Sequence, residues 1–84
     1  MKLSAEPVRT LDLHSRNRCQ AKVAIDAALR NAGAAYRIRV IHGYHGGTAI
    51  RDLIEEEYAS HPKVRRLIKI SDGITDLVLR ELTE

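Results

Sequence analysis

The sequence contains no Phe or Trp and only three Tyr among 84 residues, so any core must be assembled from Ile, Leu, Val and Ala. Such side chains pack into thin layers, and chains of this size bury only about 60–65% of their unfolded surface, which leaves little room for a deep cofactor cavity. The single cysteine, Cys19, cannot close an internal disulfide and excludes a cysteine-rich zinc module. No apolar run is long enough to span a bilayer, and Glu6 with Pro7 interrupts the opening segment before it could form a signal-peptide core. The expectation is a cytoplasmic chain with no membrane partner. Charge of one sign is lacking too: 14 Lys and Arg stand against 11 Asp and Glu, and the formal charge of +3 points only weakly to nucleic acid. What remains, 44% hydrophobic and 30% charged, is the balance of a soluble globular domain whose function sits on its surface.

Residues 1–7 read as an N-terminal extension and 8–84 as a single domain. Val8 to Leu13 is short and carries β-branched residues after Pro7, which predicts a strand ending at His14. From Ser15 to Ala32, the spacing of Ala21, Ile25, Leu29 and Ala32 forms a helical stripe, with Gly33 available as C-cap. Tyr36 to Ile41 alternates as a second strand, placing Arg37, Arg39 and Ile41 on the face opposite Tyr36, Ile38 and Val40. Thr48 is a candidate N-cap for a helix to about Ala59, with Ile50, Leu53, Ile54 and Tyr58 inward, and Ser60-His61-Pro62 stops it. Val64 to Ile70 and Thr75 to Leu82 read as an antiparallel pair joined across Asp72-Gly73. The order β-α-β-α-β-β, with right-handed crossovers, predicts an α/β two-layer sandwich: a mixed four-stranded sheet with two helices on one face.

Side chains two apart in a strand point the same way, so Asp12 and His14 project together at the first strand's exit, and His42 holds the same position on the second. If those strands are parallel, all three meet at one end of the sheet beside the turn of Gly43, Tyr44, His45, Gly46 and Gly47. Ligands favour that edge in open α/β folds. Glycines there permit positive φ and close approach, and free amides after Thr48 would attract an anion, for which phosphate is the natural candidate. Arg16, Arg18 and Arg51 can add charge-assisted hydrogen bonds. Each feature also has a plainer role. Asp12 can orient His14 or cap the following helix, His42 can be a turn or packing residue, and Tyr44 and His45 can stack on a base or simply be exposed. Arg37 and Arg39 are either solvated sheet-face charges or part of a nucleic-acid track. Asp12 would suit a hard divalent cation such as Mg or Mn, whereas no His/Cys pattern supports structural zinc.

From about Val8 to Leu82 the chain resembles the small MutS-related (Smr) domain family. Leu11-Asp12-Leu13-His14 matches its opening Leu-Asp-x-His motif, Ala24-Ile25-Asp26 lies in the following helix, and Ile41-His42-Gly43 opens its His-Gly-x-Gly loop. Ala49-Ile50-Arg51, His61-Pro62-Lys63-Val64 and Gly73-Ile74-Thr75 resemble its later motifs. Ser15 stands where the family has Gly, and His45 where the second loop Gly would be. The resemblance implies an α/β sandwich, nucleic-acid binding and, in many members, endonuclease activity that nicks DNA or cleaves messenger RNA at stalled ribosomes. The family's suspected active residues carry over to Asp12, His14, His42 and Gly43. DNA or RNA is then the expected partner, with a ribosome or a separate targeting protein for delivery. The alternative from another class is a non-catalytic module that binds nucleic acid or a ribosomal surface through its basic face. A protein-interaction adaptor is the third possibility.

Overall fold

A computed structural model of the chain describes residues 8–33, 35–43 and 48–80. The N-terminal extension, loop residues Tyr44, His45, Gly46 and Gly47, and the end of the expected last strand lie outside the described residues. The elements run β1 (Val8–Asp12), α1 (Arg18–Arg30), β2 (Arg37–Ile41), α2 (Ala49–Leu53) continued by a π-helical stretch (Ile54–Tyr58), β3 (Arg66–Ser71) and β4 (Ile74–Val78). The sheet order is β1-β2-β4-β3. β1 and β2 are parallel, and β4 is antiparallel to both β2 and β3. This is the mixed four-stranded α/β arrangement that the sequence predicts.

The helical stripe does what its spacing requires. Ala21, Ile25 and Leu29 are buried against Ile38, Val40 and Leu77 of the sheet and against Leu53, Ile54 and Tyr58. Burying such side chains supplies most of the stabilisation, roughly 1.5–3 kcal/mol each when fully removed from water. Helix α1 starts later than Ser15 because Asn17 forms a reciprocal cap, while Asp12 bonds to His14. The Asn17 side chain accepts from the Gln20 amide at 2.7 Å, and the Gln20 side chain accepts from the Asn17 amide at 3.0 Å. Asn31 closes the helix, and Gly33 follows it with a φ of 60°.

The second helix departs from expectation in two ways. Thr48 occupies the N-cap position without capping: its hydroxyl donates to Asp52 Oδ2 at 3.0 Å. The helix then widens to a π-helical turn over Ile54–Tyr58, an insertion that periodicity alone does not reveal. Tyr58, fully buried, sits at its end, and its hydroxyl donates to Asp26 Oδ1 at 2.5 Å. That bond holds the Asp26 carboxyl below its ordinary range, while burial, aided by the same carboxylate, pushes the Tyr58 phenol up. The two helices are thereby fastened to each other.

Candidate active site

Parallel pairing of β1 with β2 brings the two polar strand ends together. Asp12 is in register with Ile41, and the Leu13 amide donates to the Ile41 carbonyl at 2.8 Å, carrying the ladder one residue further. Leu13 turns inward and is buried, so Asp12 and His14 are left facing out. Asp12 Oδ1 accepts from the His14 amide at 3.2 Å and lies 2.5 Å from His14 Nδ1. An imidazole nitrogen facing a carboxylate carries its proton there, which leaves the Nε2 lone pair free to take another. The hydrogen bond from His14 holds the Asp12 carboxyl below the usual carboxylate range. Both side chains are more than half exposed, so the pair adds little to stability.

His42 is held quite differently. Its ring is buried, with Nδ1 3.1 Å from the Gly43 carbonyl oxygen and Nε2 3.0 Å from Thr75 Oγ1. Because a carbonyl can only accept, Nδ1 carries a proton and donates to it, while Nε2 is hydrogen-bonded to the Thr75 hydroxyl. Both nitrogens are engaged. The backbone amides of His42 and Gly43 donate to the Gly73 carbonyl at 2.8 and 3.0 Å, pinning this turn to the β3–β4 hairpin. Gly43 has a φ of 72°, and a Cβ there would lie 3.2 Å from the Cβ of His14. A Cβ on Gly73 would meet the Gly43 Cα at 3.1 Å. The turn thus forms the floor under His14. Gly43→Ala should cost about 1–2 kcal/mol from the left-handed backbone alone, measured by urea unfolding, and should displace the His14 imidazole.

His14, Arg16, His42, Ala49 and Arg51 line one cleft of about 280 Å³. His14 and His42 line this cleft together, and the carboxylate of Asp12 is tied to it through its contact with His14 Nδ1. Arg16 makes no ion pair among the described residues, and Arg51 has only a 4.0 Å approach of its Nε to Asp52 Oδ1. Other expected residues go elsewhere. Arg18 donates to Glu56 Oε1 at 2.7 Å and to the Ala49 carbonyl at 3.4 Å, tying α1 to α2. Arg37 and Arg39 lie on the open face of the sheet, where they grip the fully buried Asp76. Arg39 does so through Nε and Nη2 at 2.8 and 3.0 Å, and Arg37 through Nη1 at 3.1 Å. This pairing raises the affinity of the Arg39 guanidinium for its proton. Thr75 and Asp76 carry no role in the sequence reading, although a carboxylate in the middle of the apolar run Ile74 to Val78 was a signal that something must neutralise it. Among the described residues no group of three His, Cys, Asp or Glu side chains is placed to hold a metal ion.

No helix among the described residues is long and apolar enough to cross a membrane. Compared by sequence, the chain matches no family model and no curated protein. Compared by structure, it is similar to the Smr domain of Thermus thermophilus MutS2, with 26% identity, a TM-score of 0.77, and coverage of 87% of this chain and 99% of that one. It also shares its fold with the SMR domain of NEDD4-binding protein 2, with 21% identity, a TM-score of 0.68, and coverage of 99% of this chain and 97% of that one. The shared architecture, with Asp12–His14 and His42–Gly43 at the exits of its two parallel strands, makes this chain an Smr-like domain.

Proposed function

We propose that the domain binds nucleic acid at the strand-exit cleft and cleaves RNA there, with His14 as the general base. One observation carries this reading: an exposed imidazole whose Nδ1 is held 2.5 Å from a carboxylate stands in the same cleft as Arg16 and Arg51. That combination offers a proton acceptor at Nε2 and two guanidinium groups for a phosphodiester. In the reaction the imidazole takes the proton of a ribose 2′-hydroxyl, O2′ bonds to phosphorus, and the bond from phosphorus to O5′ breaks. The proton passes from His14 to the departing O5′, leaving a 2′,3′-cyclic phosphate and a 5′-hydroxyl. Asp12 holds the imidazole in the required tautomer and stabilises its charged form. His42, with both nitrogens engaged, is a positioning residue: it fixes the Gly43 turn on which His14 rests.

RNA is favoured over DNA because a ribose 2′-hydroxyl supplies the nucleophile that an imidazole can deprotonate directly, whereas DNA hydrolysis needs an activated water. End-labelled single-stranded RNA should be cut with or without EDTA, and the same sequence in DNA should remain intact. Cleavage of DNA, or of neither polymer, would overturn this assignment. The binding-only alternative draws on Arg37 and Arg39, whose charge is partly spent on Asp76. It predicts salt-sensitive binding that survives Asp12→Ala and His14→Ala without any cleavage.

A further inference from the structure

A second hollow adjoins the polar cleft. It lies where α1 crosses the end of β1, holds about 440 Å³, and its walls are Leu11, Leu13, Cys19, Val23 and Ala24. Val23 is 66% exposed, one of only two large apolar side chains left in water among the described residues. The two hollows share a lining residue and are bridged by a side-chain contact. Arg16 lines both, and Asp12 at the edge of the apolar hollow is hydrogen-bonded to His14 in the polar one. The rim of the apolar hollow carries two further polar groups. Asp12 Oδ2 accepts from none of the described residues, and the Gln20 amide nitrogen is left over after its oxygen caps α1.

Resting on the nucleic-acid reading above, we propose that this hollow is a nucleobase subsite: it receives one unpaired base of a single-stranded RNA whose adjacent phosphate lies between Arg16 and Arg51. A nucleobase has apolar faces and a polar edge, which match apolar walls and a rim offering one carboxylate acceptor and one amide donor. A duplex keeps its bases stacked and paired inside, so only an unstacked nucleotide can bring base and phosphate to the two hollows at once. The groove therefore selects single strands over duplex by shape. The same juxtaposition fixes the ribose between the hollows, beside Asp12 and His14.

The test uses a fluorescent 2′-O-methyl oligoribonucleotide, which cannot be cleaved through its 2′-oxygen, titrated against the full chain. Comparison ligands are the same oligomer made abasic and the same oligomer annealed to its complement. The intact single strand should bind about tenfold more tightly than either. Cys19→Gln with Val23→Gln, both at exposed positions, should remove that tenfold preference and leave binding of the abasic strand unchanged. Bound single strand should also slow alkylation of Cys19 in the wild-type chain, whereas inorganic pyrophosphate should not. Binding that ignores both base removal and the double substitution would overturn the subsite and leave the phosphate cleft standing. Failure of every oligomer to bind at low salt would overturn the nucleic-acid reading and the subsite with it.

Discussion

Replacing His14 with Ala should lower the rate of RNA cleavage by about 10²–10⁴-fold, the range set by loss of a positioned general base. The melting temperature should hardly move, because the imidazole is 62% exposed and, among the described residues, bonds only to Asp12. Asp12→Asn should cost less, about 10- to 100-fold, since the amide still contacts the ring but no longer offers a charge to the imidazolium, and solvent already screens this exposed pair. The sign of the pH effect follows from the lowered Asp12 value. A carboxyl held below its reference of 3.8 stays ionised as pH falls through the ordinary aspartate range. Its contribution is complete above the unfolded value and is lost only as pH falls through the lower folded one. Acidification from neutral to pH 5 should therefore leave the Asp12–His14 pair intact by this criterion. Thr75→Val separates the two histidines. It removes the hydroxyl that His42 Nε2 faces, so it should loosen the turn and reduce cleavage while leaving the Asp12–His14 contact in place. Wild-type cleavage by His14→Ala would sink the acid–base assignment, whatever the behaviour of the other variants.

The second large effect is on stability. Arg37 and Arg39 invite substitution as a basic patch, yet Arg37→Ala with Arg39→Ala should lower Tm by on the order of 10 °C. The reason is Asp76, whose side chain is completely buried and whose two oxygens are held by these two guanidinium groups. A buried carboxylate stripped of its partners is among the most damaging single defects in a fold. The expected fall is moderated because truncating these partly exposed arginines admits water to the vacated space. Adding Asp76→Asn to the double substitution should restore at least half of the lost Tm, since a neutral amide carries no uncompensated charge. No restoration would mean that the arginines act by covering the sheet rather than by neutralising Asp76. The result also bears on the binding-only reading. Weak nucleic-acid binding by the double arginine variant means nothing about a basic track until the triple variant has been measured beside it.

Several features were legible along the chain because they depend on neighbours. The stripe of Ala21, Ile25 and Leu29 declares α1 through the helical period, and the alternation from Arg37 to Ile41 separates a buried face from a partly buried one. The Asp12–His14 contact follows from a two-residue spacing at a strand end. Local rules were less reliable at boundaries. The helix expected from Ser15 begins at Arg18, because the reciprocal bond between Asn17 and Gln20 fixes the cap there. Thr48 likewise looks like a cap, but its hydroxyl is taken by Asp52.

Composition and periodicity determined the order of elements, the two-layer build, the inward faces of both helices and the pairing of Asp12 with His14, because each is settled by the repeat of the backbone within a few residues. Tertiary structure decided the rest. It put Arg39 opposite Asp76 in the β2–β4 register, set the Thr75 hydroxyl against His42 and placed Arg16 between a polar and an apolar hollow. Those contacts join residues far apart in the chain, and their geometry is fixed only when strand pairing and helix packing are satisfied together.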